Sequence, residues 1–217
     1  MVPMARTKLL GPDPAFGRAL EVVRRAPVTT LFLAACVVLF VIAEQHGSTE
    51  DVDTLVRFGA TERGRVWAGE VWRLVSSAFL HIGVVHLAWN VVTMVGWCTP
   101  VERALGSARF AVLYLGAAIA ASATSVLAHD VIGAGASGAG FGVVGAWLAL
   151  DARRLGTWRA FVRSRRVQRV AGTAALWTLA LAGMNVDHAA HLGGLVAGVA
   201  LTWALTTPAV APAASSR

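Results

Sequence analysis

The sequence predicts an all-α, polytopic membrane protein, a bundle of six transmembrane helices. Three observations carry that expectation. Of the 217 residues 56% are hydrophobic and only 14% charged, with mean hydropathy +0.63, far from the soluble average. Apolar runs of bilayer length recur along nearly the whole chain, at a window of about 20 residues. Within those runs there is no Asp or Glu.

The first run covers roughly 27–43. Residues 1–26 before it carry Arg6, Lys8, Arg18, Arg24 and Arg25 but no short apolar core with a small-residue cleavage site. They read as a cytoplasmic segment, and the first run as an uncleaved signal-anchor. The loop from Glu44 to Ser77 holds six acidic residues against four arginines. A second run, roughly 78–97, contains His81, His86 and Asn90, and a third covers roughly 110–128. The fourth, roughly 133–150, is dense in glycine and contains Ser137. Arg153, Arg154, Arg159, Arg163, Arg165, Arg166 and Arg169 follow it. The fifth and sixth runs cover roughly 170–184 and 189–206, the last containing His191. Residues 27–207 thus form one membrane domain, and 208–217, rich in Pro, Ala and Ser, a short disordered tail. Cys36 and Cys98 lie in or beside apolar runs and form neither a disulfide framework nor a metal-ligand spacing.

Orientation follows from the arginines. The N-terminal segment and the loop after the fourth run lie on one side of a six-span chain, which the positive-inside rule makes cytoplasmic. The net charge of +7 therefore reports topology and attraction to anionic lipid. It does not indicate nucleic acid, since no soluble basic face with interleaved aromatics carries it.

This topology brings the polar groups to one depth. Runs two, four and six all pass from outside to inside, so His81, His86, Asn90, Ser137 and His191 share the outer half of the bilayer. A single membrane histidine is more often a packing residue; polar groups from three helices at one depth point to a site. Gly138 and Gly142, and Gly194 and Gly198, form small-xxx-small faces that let helices approach closely, bringing Ser137 within reach of His191. Ser137 is also near a helix N-terminus, where backbone N–H groups lack intrahelical partners and can stabilise an oxyanion. His86 and Asn90, four apart, share a face and are candidate donors to that oxyanion. His81, five residues before His86, points about 140° away at helical pitch and reads as a structural tie to the outer loop. Asp187, near the water interface, reads as a loop residue. No carboxylate accompanies the Ser/His pair within a run.

Taken together, these motifs resemble the rhomboid intramembrane serine proteases. Trp72-Arg73, His81-x4-His86-x3-Asn90, Gly135-Ala136-Ser137-Gly138 continuing through Phe141, Gly142, Gly145 and Ala146, and Ala190-His191-Leu192-Gly193-Gly194 with Gly198 match the family's signatures in order, as do Glu102, Gly106 and Ser107. The likeness covers about residues 55–205 and implies a bare six-span core. It implies Ser137 as nucleophile and His191 as general base in a dyad without an acid. His86, Asn90 and the Ser137 backbone N–H would form the oxyanion hole, and Trp72 and Arg73 would anchor the outer loop at the lipid interface. Phe141 stands where some members have a tyrosine packed against the histidine, which keeps the stacking surface and loses a hydroxyl. The implied activity is serine endopeptidase cleavage of single-pass transmembrane proteins, with no cofactor and no metal. Three other readings are weaker. A small transporter would more often show intramembrane carboxylates or inverted repeats. A non-proteolytic client-binding relative would not need the complete dyad. A metal site from His81, His86, His188 and His191 matches no standard zinc spacing.

Overall fold

A computed structural model describes residues 24–180 and 186–206. The expected N-terminal segment up to residue 23, the end of the fifth run and the expected tail lie outside those residues. The described part is helical and carries no strand, only an isolated bridge between Thr61 and Gly133.

Helix α1 (Pro27–His46) opens with proline at its first position, where the missing N–H costs nothing. Three short helices follow in the outer loop, α2 (Val52–Phe58), α3 (Arg63–Trp67) and α4 (Arg73–Ser76), and a 3₁₀ turn at Ser77–Phe79. The longer helices are α5 (Gly83–Leu105), α6 (Ser107–Ala128) and α7 (Ser137–Leu155). A short α8 (Trp158–Arg163) precedes α9 (Arg165–Ala180) and α10 (His188–Leu205).

Six helices thus correspond to the six apolar runs, but only α1, α5, α6 and α10 are by themselves long and apolar enough to cross a membrane. The chain is a membrane-embedded, multi-pass protein. Helix α7 falls short because it is the central helix. It packs against α5, α6, α9 and α10, so close approach favours Gly and Ala over larger apolar side chains, and its last turns carry Asp151, Arg153 and Arg154. Helix α9 opens on arginines and is described only to Ala180, short of the expected end of the fifth run.

The absence of carboxylates expected of the runs does not extend to the helices. α5 continues to Leu105 and includes Glu102, only 1% exposed. Its oxygens accept from the backbone N–H groups of Val28 (2.9 Å) and Thr29 (2.8 Å) and from the hydroxyls of Thr29 and Ser107, each at 2.7 Å. Four donors make a buried carboxylate tolerable. The same group caps the start of α1 from the side, fixing α1, α5 and α6 together. Asp151 of α7 is buried and pairs with Arg166 at 3.2 Å.

The outer loop is held from within. Arg73, expected at the lipid interface, is 4% exposed. Its guanidinium donates to the Val56 carbonyl at 2.7 Å, the Ala60 carbonyl at 3.0 Å and the Glu70 carboxylate at 2.7 Å. The hydrogen bond from Arg73 holds the Glu70 carboxyl below its ordinary range. Trp72 is the exposed member of the pair, with the Arg73 guanidinium 4.6 Å from its ring centroid.

Candidate active site

Three chain segments place Ser137. The stretch before it pairs with the outer loop through reciprocal backbone bonds between Thr61 and Gly133, both 2.9 Å, and Gly135 N–H donates to the Ser77 carbonyl at 2.9 Å. Gly135 has φ +144°, and a β-carbon there would lie 2.8 Å from His86 Cε1. Only glycine combines that backbone with that neighbour. Ser137 then begins α7, at a position whose N–H has no intrahelical acceptor.

His191 comes from α10, which crosses α7 at backbone contact. A β-carbon on Gly194 would fall on the Gly138 carbonyl oxygen, and one on Gly198 on that of Gly142. The small-residue faces read from sequence therefore face each other. His191 Nε2 lies 2.9 Å from Ser137 Oγ. The imidazole, 7% exposed, stacks on Phe141 with ring centroids 4.2 Å apart and planes 14° apart. Phe141 sits one turn after Ser137, on the same face of α7, so one helix supplies both the hydroxyl and the plate that orients its partner.

Asp187 is more than a loop residue. Its carboxylate caps α10 by accepting the Ala190 N–H at 2.8 Å, and its second oxygen accepts from the Ser125 hydroxyl of α6. It fixes the start of α10 one turn before His191. Both of its oxygens are thereby engaged, and neither bonds the imidazole. The other ring nitrogen, Nδ1, is buried without a hydrogen-bond partner among the described residues. His188 contacts His191 edge-on, with centroids 6.4 Å apart.

His86 approaches from α5. Its Nδ1 accepts from Ile82 N–H at 3.4 Å, which leaves the proton on Nε2 in the neutral ring. That nitrogen faces Gly135, two residues before Ser137. Asn90 is a turn further along α5 and 1% exposed. Its Nδ2 donates to the His86 carbonyl at 2.9 Å, using one of its two protons. That bond, like the one His86 accepts from Ile82, is local to α5.

His81 departs from expectation. The 140° argument assumed a helix through residue 81, but α5 begins only at Gly83, whose φ of +68° breaks the preceding chain. His81 is 1% exposed, and its ring packs against His86 at 5.2 Å and 60°. It therefore backs His86 instead of pointing away.

The apolar runs do not reveal one feature beside the serine. A cavity of about 50 Å³ adjoins Ser137, lined among others by Ser77, Ser122, Ser125, Thr61 and Asp187. That is room for a few water molecules. Ser77 and Ser122 hydroxyls are 3.1 Å apart. The signal was present in the sequence: Ser122 and Ser125, three apart, share one face of an apolar helix.

Residues 68–208 match the family model described as the Rhomboid domain. Rhomboid protease GluP of Bacillus subtilis (strain 168) is 37% identical over 182 residues, covering 83% of this chain and 35% of that protein. Rhomboid-like protease 1 of Toxoplasma gondii is 33% identical over 153 residues, 68% of this chain and 51% of that one. Rhomboid protease GlpG of Serratia proteamaculans (strain 568) is 27% identical over 186 residues, 83% and 63% respectively. The chain thus spans about a third to two thirds of the length of these curated relatives.

Proposed function

The chain belongs to the rhomboid family, and from that premise we propose that it is an intramembrane serine endopeptidase acting through a Ser137/His191 dyad. The observation that carries this reading is the 2.9 Å approach of Ser137 Oγ to His191 Nε2 on helices locked by glycine.

In the proposed reaction neutral His191 takes the Ser137 proton on Nε2 as Oγ bonds to the substrate carbonyl carbon and the carbonyl electron pair moves onto oxygen. Collapse of that intermediate breaks the C–N bond, and the proton passes from His191 to the leaving amine. A water from the polar cavity then gives its proton to His191 and attacks the acyl carbon, and Ser137 leaves with that proton. His86 Nε2–H, the second Asn90 amide proton and the Ser137 backbone N–H are the donors for the oxyanion. Losing one such donor costs roughly 3–4 kcal/mol in the transition state. Phe141 and the helix cap at Asp187 position the imidazole, and the mechanism asks for no cofactor and no metal.

The substrates in this reading are single-pass transmembrane proteins. The arginine-rich end of α7 and both chain termini lie on the cytoplasmic side, and the site opens toward the outer face, because positive charge is retained inside.

A fluorophosphonate probe on detergent-purified protein tests the assignment. Wild type and His188→Ala are expected to label, Ser137→Ala not at all and His191→Ala barely. Equal labelling of Ser137→Ala would remove the nucleophile, and unchanged labelling of His191→Ala the base.

A further inference from the structure

A second recess lies at the opposite end of α7, roughly 25 Å from Ser137 at 1.5 Å per residue. It is a groove of about 400 Å³ between the last turns of α7 and α10, closed on one side by α8. Leu148 and Ala152 of α7, Val199 and Trp203 of α10, and Trp158 and Phe161 of α8 line it. The one hydroxyl there, on Thr157, caps α8 by accepting the Ala160 N–H at 3.2 Å. The groove is therefore apolar and lies at the end of membrane-embedded helices, so its natural occupant is an acyl chain. Its volume falls in the range that holds drug-sized ligands.

The rim is basic. The Arg153 guanidinium lies 4.1 Å over the Trp203 ring, and its Nη2 donates to the Trp203 carbonyl at 2.9 Å. Its Nε is buried without a partner among the described residues. Arg154, Arg159 and Arg163 are exposed on the same end. The one carboxylate nearby in sequence, Asp151, is taken by Arg166. Among the described residues none of these four arginines meets a carboxylate. Trp158, 75% exposed and stacked on Phe161, has the placement of an interfacial aromatic. An apolar slot beside guanidinium groups that no carboxylate balances fits an acyl chain whose headgroup is a phosphodiester with no balancing cation.

We propose that the α7–α8–α10 groove is a binding site for one anionic phospholipid, its chain between Ala152, Val199 and Trp203 and its phosphate against Arg153 and Arg159. A zwitterionic headgroup presents the same phosphate but brings its own cation against the arginines, so the site discriminates by charge. The site is independent of Ser137 and His191, and the proposal needs only that the chain is embedded in a membrane.

The experiment is native mass spectrometry of the full chain in detergent, offered equimolar phosphatidylglycerol and phosphatidylcholine. Wild type is expected to retain one phosphatidylglycerol in preference. Ala152→Trp, which fills the groove, is expected to lose it. Arg153→Gln with Arg159→Gln, the first keeping a donor for the Trp203 carbonyl, should reduce the preference roughly tenfold or more, while Arg57→Gln in the outer loop leaves it unchanged. Equal retention of the two lipids by wild type overturns the charge selectivity. Retention of phosphatidylglycerol by Ala152→Trp overturns the groove. If Ala152→Trp does not fold, the arginine pair decides alone: an unchanged preference then overturns the site.

Discussion

Replacing Gly194 by Ala adds one carbon, and the structure says where it goes. The new β-carbon falls on the Gly138 carbonyl oxygen, with the Ala121 side chain 3.5 Å away. A backbone carbonyl in the first turn of α7 cannot swing aside as a long side chain would. The helices must therefore part until carbon and oxygen reach an ordinary contact of about 3.3 Å, a retreat on the order of 1 Å. Gly194 lies three residues past His191, and Gly138 directly follows Ser137, so the retreat acts at the site itself. It would take the Ser137–His191 separation from 2.9 Å to roughly 4 Å, beyond a hydrogen bond. A misplacement of that size costs about a hundredfold in rate, and overpacking costs about 1–3 kcal/mol of stability. The control is Gly96→Ala on α5, where an added carbon meets nothing within 4 Å. There the change should be neutral or stabilising by roughly 0.5–1 kcal/mol, since alanine suits a helix better. Both variants are assayed for cleavage of a transmembrane reporter and for melting in detergent. If Gly194→Ala cleaves at half the wild-type rate or faster, the two helices do not need backbone contact to hold the pair, and the reasoning fails.

Asp187→Ala should cost about 1 kcal/mol through the lost helix cap and lower the cleavage rate through α10, whereas Asp187→Asn, which keeps a capping oxygen, should retain most of both; equal behaviour of the two variants in melting and cleavage would show that the cap does not position His191. Because Arg73 holds the Glu70 carboxyl below its usual range, the tether it makes is fully present above that range and is lost as pH falls through the lowered value. The protection of the amides at 56–60, taken relative to their intrinsic exchange rate at each pH, should therefore fall in acid in wild type and be independent of acid in Glu70→Gln. A transmembrane client hides its carbonyls in its own helix, so cleavage should need local unwinding by Gly or Pro and fall near the client's outer end; an all-Leu client cut as fast, or fragments mapping by mass spectrometry to the cytoplasmic end, would contradict this.

Much of the site was legible because membranes make polar residues conspicuous. Ser137 and His191 stand out in apolar runs, and Gly138, Gly142, Gly194 and Gly198 carry the spacing of helices that touch. The structure places those four glycines across from one another, as small residues must be wherever backbones meet without a hydrophobic force between helices. The same depth argument groups His86 with Ser137, and the structure sets its ring beside Gly135, two residues before that serine. What periodicity could give, it gave for residues inside long helices.

It failed where the chain leaves helical geometry. A 3.6-residue wheel has no meaning across Gly83, so it turned His81 away from His86 when the rings in fact touch. An apolar window likewise stops at a charge, and Glu102 and Asp151 were counted out of the helices that contain them. Each is admitted by partners on other helices: Val28, Thr29 and Ser107 for one, Arg166 for the other. Asp187 looks like a loop residue in sequence because its cap geometry and its bond to Ser125 depend on where α6 ends relative to α10. Local propensity registers what one segment wants, while a buried carboxylate registers what two or three segments jointly supply. In a bilayer an unsatisfied charge is expelled or paired, so each carboxylate retained inside marks a point where separate helices must already be in register. Glu102 ties α1 to α5 and α6, Asp187 ties α10 to α6, and the 2.9 Å approach of Ser137 to His191 is the distance that remains once both ties and the glycine contact are made.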